Sequence, residues 1–156
     1  MAGPSPANPA TPETTRLSTD PRATELLGRN IIGQLGFLGL DGYPHVQPVW
    51  FEYRDSVVLI ASKPDTYKGR ALARDGRATL AVSTHQRPYH IATAVGDATI
   101  ELLPEPERIV FVTAIAHRYL GTEDGAKYLE MWSKGGHPGD GELIRLRPKK
   151  INFYVS

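Results

Sequence analysis

Between positions 62 and 77 the chain reads Ser-Lys-Pro-Asp-Thr-Tyr-Lys-Gly-Arg-Ala-Leu-Ala-Arg-Asp-Gly-Arg, five cations against two carboxylates. The whole chain has a net charge of only +1, so the positive charge is local. Pro64 cannot continue a strand ladder, Asp65 is a good N-cap, and Asp75-Gly76 supplies a stop, which predicts a helix over 66–74. Lys68 then lies in the first turn, where a cation opposes the helix dipole. A bound phosphate resolves that conflict. Exposed first-turn N–H groups, the Lys68 ammonium and the Thr66 hydroxyl together make a compact anion site of the kind helix N-termini provide. On residue type alone, a solvated basic helix explains the same charges.

Other side chains offer proton chemistry by type. His45, His85, His90, Tyr43 and Tyr89 are candidates because imidazole titrates near neutrality and phenol can donate. Nothing in the sequence pairs any of them with an orienting carboxylate, so no catalytic residue is assigned. The five histidines are scattered without metal-ligand spacing, and no metal is expected. There is no cysteine, which excludes disulfides and thiolate catalysis and fits a reducing compartment. Gly33, Gly36 and Gly39 lack the dinucleotide-binding spacing and suit close backbone approach in a curved strand.

The elements that must position these groups read mainly as strands. Residues 1–18 are rich in Pro, Ala and Thr and nearly lack large apolar side chains, predicting a disordered tail ahead of one domain over 19–156. Asp20-Pro21 opens a short helix to about Arg29, with Leu26 and Leu27 inward, lidding one end of the core. Strands follow over 34–40, 45–53 and 56–61, joined by turns at Asp41-Gly42 and Arg54-Asp55. Pro48 has no ladder donor, so its strand belongs at an edge or carries a bulge. After the basic helix come strands at 78–83, 89–95 and 97–102, the last two joined at Gly96. An acidic start at 104–107 opens a helix that ends before Gly121. Thr122 caps another helix to about Trp132, and 142–155 returns as strand with a break at Pro148. A mostly antiparallel barrel with a few peripheral helices accounts for this order.

Composition narrows the function classes. The 156 residues, 40% hydrophobic and 22% charged, suffice for one core. No segment has the apolar length of a membrane span and no signal pattern opens the chain, so a cytoplasmic protein without a membrane partner is expected. Near-neutral charge argues against nucleic-acid binding.

The run Thr-Tyr-Lys-Gly-Arg-Ala-Leu-Ala-Arg-Asp-Gly-Arg-Ala-Thr-Leu at 66–80 resembles the signature of the pyridoxamine 5'-phosphate oxidase-like split-barrel superfamily. The usual pattern there is Ser-x-Lys-x-x-x-Leu-x-x-Asn-Pro-Arg-x-x-Leu. Asp41-Gly42-Tyr43-Pro44-His45-Val46-Gln47-Pro48-Val49-Trp50-Phe51 upstream and the stretch 89–96 downstream fall where that family places them. The resemblance covers roughly 33–103 and, more weakly, the C-terminal part.

It implies a split β-barrel of six or more antiparallel strands, Greek-key in type. Two such subunits would form a homodimer holding FMN or the deazaflavin coenzyme F420 in a groove between them. By motif, Lys68 and Thr66 would hold phosphate; Gln47, Pro48, Val49 and Trp50 would lie along the ring and ribityl chain, with Trp50 able to stack on the ring or to sit in the core. Ala61, Ser62 and Lys63 would lead into the phosphate site. Gln47 stands where the pyridoxamine phosphate oxidases commonly have Arg, Thr66 replaces Ser, Asp75-Gly76 replaces Asn-Pro, and their C-terminal substrate pattern is not found. These departures favour the reductase branch over vitamin B6 oxidation. The implied activity is hydride transfer between the cofactor and a small unsaturated or heteroaromatic substrate. The same fold could instead carry or sense a flavin or heme without turnover. Twelve arginines against six lysines and abundant alanine are common in high-GC bacteria, where deazaflavin-dependent relatives abound, and tilt the cofactor choice that way.

Overall fold

The structure, a computed structural model, describes residues 20–136 and 139–156. The tail proposed for 1–18 lies outside the described residues. Helix α1 (Pro21–Leu27) starts as the sequence predicts, with Asp20 as N-cap accepting from the Arg22 N–H, and it buries Ala23, Leu26 and Leu27. Then follow β1 (Gly33–Leu38), β2 (Pro44–Val49), β3 (Glu52–Arg54), β4 (Val57–Ser62), α2 (Tyr67–Arg74), β5 (Arg77–Ser83), β6 (His90–Leu103), α3 (Glu105–Lys134) and β7 (Gly141–Val155).

All seven strands form one antiparallel sheet in the order β2-β1-β5-β6-β7-β4-β3. Strands β2 and β3 lie at opposite edges of that order, yet only Trp50 and Phe51 separate them in the chain. Two residues reach at most about 11 Å between flanking Cα atoms. The sheet therefore has to curl until its edges nearly meet, and because no ladder joins β2 to β3, the barrel is split there. Inside it Leu35, Phe51, Leu80, Ile144 and Leu146 have no exposed surface. The strand predicted over 45–53 is thus two strands. Pro48 sits on an edge, as its missing donor requires, and the Phe51 backbone turns from the sheet toward the Tyr119 hydroxyl, 3.2 Å from both its N–H and its C=O.

The two strands predicted around Gly96 are one. Strand β6 pairs with β7 over its whole length, with an irregularity between Val95 and Gly96 opposite the Pro148 region. The bulge absorbs the proline that was read as a break in β7. The turn after β3 falls at Asp55 and Ser56, one residue later than expected, both at positive φ as a two-residue hairpin requires. Helix α3 runs through Gly121, whose φ of 79° and ψ of −175° interrupt it where the sequence places the boundary between two helices.

Candidate functional site

Strand β2, strand β4, the start of α2 and helix α3 enclose a cleft of about 380 Å³, within the size range of small-molecule sites. Gln47, Pro48, Val49 and Trp50 line it from the sheet edge, Ala61, Ser62 and Lys63 from the end of β4, and Lys68 from α2. The structure thus brings together all the nominated binding residues except Thr66. Thr66 lines a smaller cavity of about 270 Å³, which shares Gln47 and Lys68 with the cleft.

The approach to α2 differs from the sequence reading. Asp65 has φ 57° and is not the cap; Thr66, in extended conformation, is the N-cap, and its Oγ1 accepts from the Gly69 N–H at 3.2 Å. A left-handed Asp65 tightens the turn after Pro64 and moves the helix start one residue on. The Thr66 hydroxyl also lies 3.1 Å from that of buried Ser62, which is 3.1 Å from the Lys63 carbonyl. These two hydroxyls shape the turn that presents Lys63 and Lys68.

Lys68 is half-buried, and loss of hydration pushes its ammonium below the ordinary lysine range, partly opposed by the charge of Glu142. Glu142 accepts from the Asp65 N–H at 3.3 Å through Oε1, while its Oε2 is buried and without a hydrogen bond. That Oε2 lies against Gly69, where a side chain would meet it at 2.7 Å. The positive end of α2 therefore already has a carboxylate beside it, supplied by β7, which pairs with β4 and places Glu142 opposite Ser62. Among the described residues no Asp or Glu lines the cleft, whereas Lys63, Lys68 and Arg108 all do.

Sequence reasoning missed the contribution of α3. Arg108 is buried, donates to the Gly139 carbonyl at 3.0 Å and lies over the Trp132 ring at 5.3 Å. Phe111, Val112 and Ile115 continue the same wall. Their i, i+3, i+4, i+7 spacing was the available signal: one helical face, apolar except for a single cation. Farther along, Tyr119 stacks flat on Trp50, with centroids 5.3 Å apart and planes at 5°, and Tyr128 tilts against it at 5.2 Å. Burial raises the Tyr119 phenol above its usual range. Trp50 is thus a wall held from behind by α3.

One of the proton-donor candidates does have an orienting carboxylate. His45 Nε2 lies 3.0 Å from both Asp41 oxygens across the β1–β2 turn, and its ring lines the smaller cavity. The i, i+4 pairing was visible in the sequence but is unavailable to an extended strand; it needs the turn to fold Asp41 back. Tyr43 is 72% exposed, His90 packs edge-on against Phe153, and His85 and Tyr89 are exposed; none of the four lines either cavity.

The cleft suits a phosphorylated, planar cofactor on two counts: cations gather at the β4–α2 end, and apolar side chains from β2 and α3 form the walls. Among the described residues no helix is long and apolar enough to cross a membrane, and no three His, Cys, Asp or Glu side chains converge as for a metal.

No curated protein matches the chain. Among solved structures, an F420 reductase is 22% identical with a TM-score of 0.63, over 82% of this chain and 94% of that one. A conserved hypothetical protein from Mycobacterium tuberculosis is 18% identical with a TM-score of 0.67, over 91% and 88%. A FAD-binding protein from Mesorhizobium loti is 20% identical with a TM-score of 0.55, over 88% and 95%. At these identities the likeness is one of fold. The family profile for pyridoxamine 5'-phosphate oxidase matches residues 19–154, nearly the whole described barrel. The chain belongs to the pyridoxamine 5'-phosphate oxidase-like split-barrel family.

Proposed function

We propose that this protein is an oxidoreductase that transfers a hydride between a flavin-type cofactor, coenzyme F420 or FMN, and a small unsaturated or heteroaromatic substrate. The observation that carries the reading is the cleft's electrostatics: among the described residues Lys63, Lys68 and Arg108 line it and no carboxylate does. A phosphate-bearing ligand is what such a lining selects. The likeness in fold to an F420 reductase and a FAD-binding protein supports the cofactor class.

The bound ring would supply the hydride chemistry; the protein binds, orients and excludes water. Lys68 would hold phosphate as a point charge. Its incomplete hydration is a cost that a bound anion relieves, because a charge-assisted contact replaces the lost water. Gln47 and Pro48 lie on an edge strand whose outward main chain is free to face a flat ring. Trp50, held by Tyr119 and Tyr128, and the α3 wall keep that side of the cleft dry.

A homodimer is part of the same proposal. Tyr43 and Val46 of the edge hairpin are 72% and 69% exposed. Val46 also lines a surface depression of about 580 Å³ with Phe37, Leu38, Ala78 and Val95, rimmed by Arg77, Asp97, Lys149 and Lys150. Apolar surface of this kind, adjoining the smaller cavity through Phe37 and Val46, supports a second subunit there.

Steady-state reduction of a quinone-like acceptor, with the reduced cofactor supplied, tests the activity; acceptor-dependent oxidation of the cofactor is the expected result. A second reading is a carrier or sensor that binds the cofactor without turnover; among the described residues the cleft lining holds no histidine or carboxylate to donate a proton. Saturable binding with no acceptor-dependent oxidation would establish that reading in its place.

A further inference from the structure

We propose that Glu142 is a charge-selecting residue of the cleft, disfavouring a doubly charged phosphate monoester relative to a singly charged phosphodiester. The inference deepens the cofactor reading above and rests on it: Lys68 holds the phosphate, and Glu142 biases which phosphate that is. Glu142 is not among the side chains that line the cleft or the smaller cavity. It therefore acts on a ligand through space rather than by contact.

The register of β7 against β4 sets Glu142 opposite Ser62, the last residue of β4, so its side chain meets the turn into α2. One oxygen accepts from the Asp65 N–H at 3.3 Å, and the other lies where a side chain at Gly69 would have to stand. Glycine weakens a helix interior, and here it is what lets the carboxylate approach the first turn. That second oxygen is buried and has no hydrogen bond, so solvent screens its charge little. Asp65, the other carboxylate at this turn, is 84% exposed and lies 3.5 Å from the Arg70 guanidinium, and its field is damped by both. The charge of Glu142 already reaches Lys68, where it favours the ammonium against the cost of burial. Each unit of negative charge brought to Lys68 meets the same repulsion from Glu142, and a dianion meets it twice. A phosphate monoester carries about −1.5 to −2 at neutral pH, and a phosphodiester carries one charge fewer or nearly so. FMN is a monoester and coenzyme F420 a phosphodiester, so Glu142 tilts the cleft toward the deazaflavin.

Ligands that share one ring and one ribityl chain test this: FMN, the methyl ester of its phosphate, and riboflavin. Each is titrated into the full chain, wild type and Glu142→Gln, at low and fixed salt, with tryptophan fluorescence as the readout. Glu142→Gln should tighten FMN about tenfold and the methyl ester about threefold while leaving riboflavin unchanged, because the gain compounds with each ligand charge. A carboxylate that only shaped the turn would move all the affinities alike. Should Glu142→Gln fail to fold, Glu142→Met removes the charge together with the unpaired buried oxygen and should give the same ordering. Equal changes for the three ligands, or no change, overturn the inference. If no flavin binds, Glu142→Gln must tighten methyl phosphate more than dimethyl phosphate, followed by the amide resonances at the start of α2; equal effects, or binding of neither, overturn it as well. Charge-ordered tightening in a chain that shows no acceptor-dependent oxidation of reduced cofactor overturns the oxidoreductase reading and leaves this one standing. Acceptor reduction by a chain whose affinities are indifferent to Glu142 overturns this inference alone.

Discussion

The indole of Trp50 lies flat on the ring of Tyr119, and the Tyr119 hydroxyl reaches past it to the backbone of Phe51 at 3.2 Å and the Ile31 carbonyl at 3.1 Å. One side chain of α3 thus supports the cleft wall and also satisfies the main chain where β2 gives way to β3. Tyr119→Phe keeps the stack and removes the hydroxyl, so it should cost about 1–2 kcal/mol of stability, read from urea unfolding. Tyr119→Leu should cost about 0.5–1.5 kcal/mol more by losing the aromatic pair. Equal stability of wild type and Tyr119→Phe would mean that the Phe51 backbone is satisfied elsewhere.

Gly96→Ala should be among the most damaging single substitutions in the sheet. An added methyl would run into the Arg147 carbonyl, a backbone atom fixed in the paired strand β7. A loss of about 2–4 kcal/mol is expected, from steric strain at a bulge that cannot relax. Gly36→Ala is the matched control, since its nearest neighbour would lie at 3.6 Å, in ordinary contact. Similar melting temperatures for the two variants would contradict the bulge geometry.

Asp75 should make a pH-dependent contribution to stability. Hydrogen bonding to Arg77 lowers its carboxyl from 3.8 to about 2, so folding favours the ionised form. A group depressed in this way adds stability above its unfolded value, and that contribution fades as pH falls through about 2. Asp75→Asn should therefore be less stable than wild type near neutrality, with the gap closing between about pH 4 and pH 2. A gap that is constant over that range would show that Asp75 acts through shape rather than charge.

What the sequence made legible was local chemistry. Asp20-Pro21 marked α1, the basic run marked α2, and Pro48 marked an edge, because each signal acts through its own backbone. The residues nominated on β2, β4 and α2 line one cleft because β2 and β4 flank the opening of the barrel and α2 follows β4 directly. Asp65 was mistaken for the cap because its left-handed conformation depends on how Ser62 and Thr66 close the turn. Arg108, Tyr119, Tyr128 and Trp132 were missed for a different reason. Arg108, Tyr128 and Trp132 reach the cleft, and Tyr119 backs Trp50, only because α3 packs over the split in the barrel; the helical face is visible in the spacing, but the surface it packs on is set by tertiary closure. The His45–Asp41 pair likewise required the hairpin turn.

If the apolar surface beside the smaller cavity is covered by a second copy, sedimentation should show a dimer at micromolar concentration. Val46→Lys, which places a charge on the 69% exposed edge residue, should shift the equilibrium toward monomer without lowering the melting temperature of the subunit. A monomer that binds cofactor with full affinity would contradict the dimeric site.

The central claim is that Lys68 anchors a flavin-type cofactor in the cleft beneath α3. Both tryptophans of the chain, Trp50 and Trp132, line that cleft, so their fluorescence reports directly on it. Equilibrium titration of wild type and Lys68→Ala with FMN and with oxidised coenzyme F420, at low and fixed salt, is the most direct measurement. Saturable quenching by one of the two, weakened about tenfold or more in Lys68→Ala through loss of the charge-assisted contact, is the predicted result. Quenching by neither, or the same affinity with and without the Lys68 ammonium, would contradict it.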